Sequence, residues 1–206
     1  REVQMNSSFK NLGLGEMIKL GLILVCYAVA SCTVLAVVNS FTSVKIKQNQ
    51  IEAANKAMRE VYPDADTFIL VNDYQPSSNK KITISDVYLA QKDGKTIGGV
   101  AQVAGPTYDK GKIILGVSSQ GIVTGMQVLE LSDSPGFGLK ANDPTFKLAN
   151  GMTFYGQFAG KDAKNGFKTN SNFDGISGAT ITSDAIAELM NQGSACLLNY
   201  LEGHHE

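Results

Sequence analysis

"KKITISDVYLAQKDGKTIGGVAQVAG", residues 80–105, decides the fold. Ile82 and Ile84 alternate with polar residues, and Val87 and Leu89 resume the alternation one step out of phase. A slip of that kind predicts a β-bulge at Ser85–Asp86. Asp93-Gly94 is a strong two-residue hairpin turn, so 96–105 returns as the partner strand. Downstream, 112–119, the turn Gln120-Gly121 and 122–131 predict a second hairpin. Upstream, "TFILVND" (67–73) reads as a short apolar strand. Together these make an antiparallel meander. A short helix is expected after Asn142-Asp143, with Pro144 at its first position. A last helix is expected from about Asp184 to Glu202, with Ile186, Leu189, Met190, Leu197, Tyr200 and Leu201 on its apolar face. Strands followed by helices argue an α+β domain.

Towards the N-terminus, residues 20–44, "LGLILVCYAVASCTVLAVVNSFTSV", contain no charge and lie between Lys19 and Lys45. A spanning helix needs about 20 apolar residues. Two other readings compete: a cleaved signal peptide using the A-x-A pattern at 28–30, and a lipid attached to Cys32 in "VASC". Both require the apolar run to end near the cut. It continues through "TVLAVVNSF", which favours one retained transmembrane helix. Arg1, Lys10 and Lys19 precede the span, and Lys45, Lys47, Lys56 and Arg59 follow it, so the basic residues do not orient it. Residues 45–63 carry Ile46, Ile51, Ala54, Met58 and Val61 at near-helical spacing before Pro63. They read as a stalk helix that acts as a spacer. The expected division is therefore an N-terminal segment (1–19), a transmembrane helix (20–44), a stalk (45–63) and a domain (64–206). "REVQ" before Met5 is left out of the fold reading.

Composition narrows the function. Eighteen basic side chains balance 19 acidic ones, so a nucleic-acid partner is not expected. Cys26, Cys32 and Cys196 show no zinc-like spacing with histidine and read as small buried hydrophobes. His204 and His205 read as a solvated tail, and no metal site is expected. No Ser-His-Asp set, phosphate-binding Walker sequence or dinucleotide glycine fingerprint is present. A chain with no catalytic residues of its own suits a binding or carrier role.

Two segments remain. In "SDSPGFGLK" (132–140), Pro135, Gly136 and Gly138 make a tight loop after a strand. Glycines there let the backbone approach a flat or charged ligand, although a sharp turn alone also explains them. In "FDGISGATITSDAIAELM" (173–190), small hydroxyl residues lead into the last helix. A helix N-terminus presents free amides and a positive dipole end, which suits a phosphate. Thr182 or Ser183 is the expected N-cap. Local physics does not choose among Ser177, Thr180, Thr182 and Ser183 for any further role.

"DGISGATITS" (174–183) resembles the flavinylation motif of the FMN-binding domains of respiratory membrane complexes. That motif is Asp, two residues, Ser or Thr, Gly, Ala, then Thr or Ser; Asp174, Ser177, Gly178, Ala179 and Thr180 match it. The resemblance implies covalent FMN on Thr180 through a phosphoester, installed by a separate flavin transferase that reads Asp174 and Ser177. "DSPGFG" (133–138) is similar to the family's Glu-Thr-Pro-Gly-Leu-Gly loop, which lies against the flavin; Asp133, Ser134 and Phe137 depart from it. Carried over, Ser134, Pro135, Gly136, Phe137 and Gly138 join the cofactor-binding set, and the loop offers backbone amides to the ring. "GPTYDKGKI" (105–113) resembles another family element.

A lysine beside the ring would favour its negatively charged forms, and Lys140, Lys164 and Lys168 are the candidates. Size, span and stalk resemble the G subunits of Rnf-type electron-transport complexes. The related C subunits of the sodium-pumping NADH:quinone reductase, or an FMN module feeding another extracytoplasmic reductase, are the alternatives. The resemblance implies electron relay within a ferredoxin:NAD+ oxidoreductase coupled to Na+ or H+ movement. It implies partners that include another flavin subunit and iron–sulfur subunits. It also implies a single-pass protein of the bacterial inner membrane, with the flavin domain on the extracytoplasmic side.

Overall fold

In the computed structural model, which describes residues 14–203, the decisive hairpin is formed by β2 (Thr83–Lys92) and β3 (Lys95–Gly105). Asp93 and Gly94 both take positive φ, 50° and 73°, as the tight hairpin turn requires. Ile84 pairs with Val103 and Asp86 with Gln102, so Ser85 is the extra residue of the expected bulge. β1 (Thr67–Val71), β4 (Gly111–Ser118) and β5 (Val123–Leu131) complete one antiparallel sheet in the order β1-β2-β3-β4-β5. The fold is α+β, with a long apolar N-terminal helix, this meander and a C-terminal helix.

That C-terminal helix, α2 (Thr180–Gly203), covers one face of the sheet. Ile186, Leu189, Met190 and Leu197 are completely or almost completely buried against Val103, Ile113 and Leu115. Each such side chain stabilises the fold by about 1.5–3 kcal/mol relative to exposure. Tyr200 is only partly buried. Cys196 is buried in the same layer, and burial pushes its thiol up to about 11. It is the small hydrophobe expected, whereas Cys26 and Cys32 are exposed on the N-terminal helix.

The chain divides into two compact units, residues 1–51 and 52–206. Helix α1 (Leu14–Val61) runs without a break through the expected span and stalk, and ends two residues before Pro63. Leu22, Leu24, Tyr27, Leu35 and Phe41 are each more than 60% exposed among the described residues. Among the described residues this is the one helix long and apolar enough to cross a membrane. The end of the stalk is more than a spacer. Ala57, Met58, Val61 and Tyr62 form a second small core with Ala90, Val100 and Ile114 on the other face of the sheet. The Tyr62 hydroxyl donates to the Ile97 carbonyl at 2.7 Å. Burial, with the nearby Asp64 charge adding to it, pushes the Tyr62 phenol up to about 12.

Between β5 and α2 the chain has no long regular element. No helix follows Pro144; Asp143 instead accepts from the Thr145 amide and hydroxyl, closing a turn, and a short 3-10 helix (Gly138–Asn142) precedes it. Four phenylalanines hold the rest. Phe154 packs edge-on against Phe158 and Phe173, and Phe158 edge-on against Phe167, with centroids 5.5–6.1 Å apart. This knot anchors the turn that begins at Asp174. The expected histidine tail lies outside the described residues, as does most of the expected N-terminal segment.

Candidate functional site

Helix α2 begins at Thr180, four residues earlier than its periodicity suggested. Its first intrahelical bond is from Ser183 N–H to Ala179 C=O, so the amides of Thr180, Ile181 and Thr182 come before the ladder starts. Gly178 turns the chain into the helix at φ +79°, a conformation that side chains rarely adopt.

The four hydroxyls of this turn have different environments. Thr182 is buried and donates from Oγ1 to Asp133 Oδ2 at 2.5 Å. Ser183 is fully buried; its Oγ accepts from the Ile176 amide at 2.9 Å and donates to the Ala179 carbonyl at 3.0 Å. Neither is the N-cap expected of it, because both already lie inside the helix. Ser177 and Thr180 are exposed. Of these two, Thr180 lines the cleft beside this turn and Ser177 does not.

That cleft has a volume of about 500 Å3. Gly178, Ala179, Thr180, Ile181 and Thr182 form one side, and Ser134, Phe137, Gly138 and Tyr108 the other. Tyr108, Phe137 and Ile181 are all more than half exposed, which leaves two rings and an apolar side chain open at the rim. The arrangement fits FMN: amides and a dipole end for phosphate, an exposed hydroxyl beside them, and apolar surfaces for a flat ring system.

The floor of the cleft rests on Asp133, which is 3% exposed. Its carboxylate accepts from Thr107 Oγ1 at 2.6 Å and from Thr182 Oγ1. It also accepts from the amides of Asp109 at 3.0 Å and Tyr108 at 3.4 Å. Burial pushes this carboxyl up. The four hydrogen bonds outweigh burial and hold it below its ordinary value. Gly138 is fixed by the same packing: a Cβ there would sit 2.6 Å from Asp133 Cβ and from Thr182 Oγ1.

Six of the ten sequence-predicted site residues line the cleft: Thr180, Gly178, Ala179, Ser134, Phe137 and Gly138. Asp174, Ser177, Pro135 and Gly136 do not. Asp174 instead borders a separate polar hollow of about 270 Å3, with Asn150, Lys161 and Asn172 among its neighbours. Asn150 Nδ2 donates to the Asp174 carboxylate at 2.9 Å. The buried Gln157 clamps the Asp174 backbone, accepting from its N–H at 2.8 Å and donating to its C=O at 3.0 Å.

Within the loop expected to offer amides to the ring, the Phe137 amide donates to the Ser134 carbonyl at 3.3 Å. None of the three candidate lysines lines the cleft. Lys140 lies over the Phe146 ring at 5.2 Å, Lys164 pairs with Glu202 at 3.7 Å, and Lys168 belongs to the loop before Asn172. Tyr108, Ile181, Asp133 and Gln157 were missed as site residues. Tyr108 and Asp133 lie in "GPTYDKGKI" and "DSPGFG", but the partners that give them roles are far away in sequence.

Comparison with known proteins agrees with this geometry. Residues 107–194 match the FMN-binding domain family, and residues 5–61 match the RnfG N-terminal region. The G subunit of the Na(+)-translocating ferredoxin:NAD(+) oxidoreductase complex of Acetobacterium woodii is 31% identical over 192 residues, covering 84% of this chain and 87% of the relative. The G subunit of the ion-translocating oxidoreductase complex of Vibrio cholerae is 30% identical over 181 residues, covering 82% and 84%. The G subunit of the proton-translocating ferredoxin:NAD(+) oxidoreductase complex of Clostridium ljungdahlii is 32% identical over 161 residues, covering 75% and 77%. The C-terminal part is thus an FMN-binding domain. The chain as a whole belongs to the RnfG family, the G subunits of Rnf complexes.

Proposed function

We propose that this chain carries FMN on Thr180 through a phosphoester and relays electrons through it within an ion-translocating complex. As a member of its family, the protein is a redox subunit of an ion-translocating ferredoxin:NAD+ oxidoreductase. The observation that most supports Thr180 is the contrast among four neighbouring hydroxyls. Thr182 and Ser183 are buried and engaged, Ser177 is exposed away from the cleft, and Thr180 is exposed within it.

FMN, when bound, accepts and releases one or two electrons. The chain's residues hold and shield it. The Thr180 Oγ would form the bond to phosphorus, and the amides at the start of α2 would neutralise the phosphate oxygens. Phe137, Tyr108 and Ile181 would cover apolar parts of the ring. A tether of this kind keeps the carrier in place between turnovers. In this reading a flavin transferase reads Asp174 and Ser177 and makes the bond from a flavin dinucleotide: the P–O–P bond breaks, a nucleoside monophosphate leaves, and the Thr180 hydroxyl gives up its proton as its oxygen bonds to the FMN phosphorus. Residues 20–44 of α1 span the bacterial inner membrane once, with the flavin domain on its extracytoplasmic side, beside another flavin subunit and iron–sulfur subunits.

The test is co-expression of the full chain with a flavin transferase, followed by denaturing electrophoresis and in-gel flavin fluorescence. The reading expects a fluorescent band at the mass of this chain. Flavin that leaves with the denaturant would contradict the covalent link.

A further inference from the structure

Three stretches of chain far apart in sequence wall the cleft: the loop after β3 that carries Tyr108, the loop after β5 that carries Phe137 and Gly138, and the first turn of α2. One side chain reaches all three. Asp133 takes the Thr107 hydroxyl and the Tyr108 and Asp109 amides from the first, begins the second, and takes the Thr182 hydroxyl from the third. The carboxylate lies directly beneath the cleft, since a Cβ on Gly138 would meet Asp133 Oδ2 at 2.7 Å. Among the described residues no lysine or arginine hydrogen-bonds to it, so neutral donors alone offset the burial of the charge.

We propose that Asp133 is a positioning residue for the flavin, a buried latch that sets the cleft walls and places a fixed negative charge under its floor. The proposal rests on FMN occupying this cleft. Two consequences follow. Loosening the latch lets the Tyr108 and Thr182 sides move independently, which changes the surroundings of the ring. Removing the charge makes addition of electrons to the ring easier, because a carboxylate in a poorly screened setting opposes incoming negative charge.

The experiment compares the full chain, its Asp133→Asn variant and an Asp143→Asn variant, each flavinylated by the transferase. Redox titration and visible circular dichroism of the bound flavin are the readouts. Asp143 also has its carboxyl held below the ordinary value, by Thr145 and Phe146, but neither of these partners lines the cleft as Tyr108 and Thr182 do, and Asn keeps its turn. Asp133→Asn is expected to shift the flavin's reduction equilibrium at least tenfold towards the reduced form, about 30 mV for a two-electron couple. Asp143→Asn is expected to leave it unchanged.

Equal potentials in all three proteins, each carrying flavin, would overturn the role of Asp133 while leaving the cofactor reading intact. An unmodified chain without flavin would instead sink the cofactor reading. Should Asp133→Asn not accumulate, Thr107→Val tests the latch with the charge kept. The flavin's circular dichroism is then expected to change, and an unchanged spectrum overturns the proposal.

Discussion

Two aspartates open the glycine-containing turns at 133–138 and 174–180, and they do opposite things. Asp133 begins "DSPGFG" and is buried under the cleft with four hydrogen bonds to its carboxylate. Asp174 begins "DGISGAT", is exposed, and borders a different hollow, while Gln157 holds its backbone. The first turn builds the cleft. The second presents one hydroxyl, Thr180, to it. Similar local sequences therefore divide between architecture and presentation, and burial of the acid distinguishes them.

The largest expected effect breaks the presenting turn. Thr180→Ala should abolish denaturation-resistant flavin, and Thr180→Ser should keep it, read by in-gel fluorescence. Next, Gly138→Ala strikes the building turn, where the new Cβ has no room beside Asp133 and Thr182. It should cost about 1–3 kcal/mol of stability, measured by denaturant unfolding of the full chain in detergent. Gln157→Leu leaves the Asp174 backbone without its clamp. Water can partly replace that partner, so the cost should be about 1 kcal/mol, with slower flavin attachment in a time course.

Acid separates the turns further. Asp133 has a folded value below its ordinary 3.8, so the stability it contributes is complete above that value and is lost as pH falls through the folded one. Asp133→Asn should therefore flatten the acid limb of a stability-versus-pH curve relative to the unaltered chain. The smallest effect is expected for Asp174→Asn. Its stability should stay within about 0.5 kcal/mol, because the side chain is exposed, while flavin attachment falls.

The hairpin was legible because its signals are local: the alternation, the slip at Ser85 and the Asp93-Gly94 turn all lie within one stretch. The apolar helix was legible from its lack of charge. The start of α2 was misjudged because Thr182 and Ser183 read as caps, yet their hydroxyls are spent on Asp133, Ile176 and Ala179. The segment at 150–173 carried no readable period, because four phenylalanines at irregular spacing organise it. The motif singles out Thr180, and the structure places that residue on the wall of a cleft. The latch beneath it was not legible, because Asp133 finds partners 26 and 49 residues away, and such pairings leave no local pattern.

The central claim is that Thr180, among four adjacent hydroxyls, bears the flavin. Mass spectrometry of the full chain, co-expressed with a flavin transferase and digested with trypsin, tests it most directly. The account predicts one FMN phosphoester on the peptide that begins at Thr169, with fragment ions placing it on Thr180. An unmodified peptide, or a flavin placed on Ser177, Thr182 or Ser183, would contradict it.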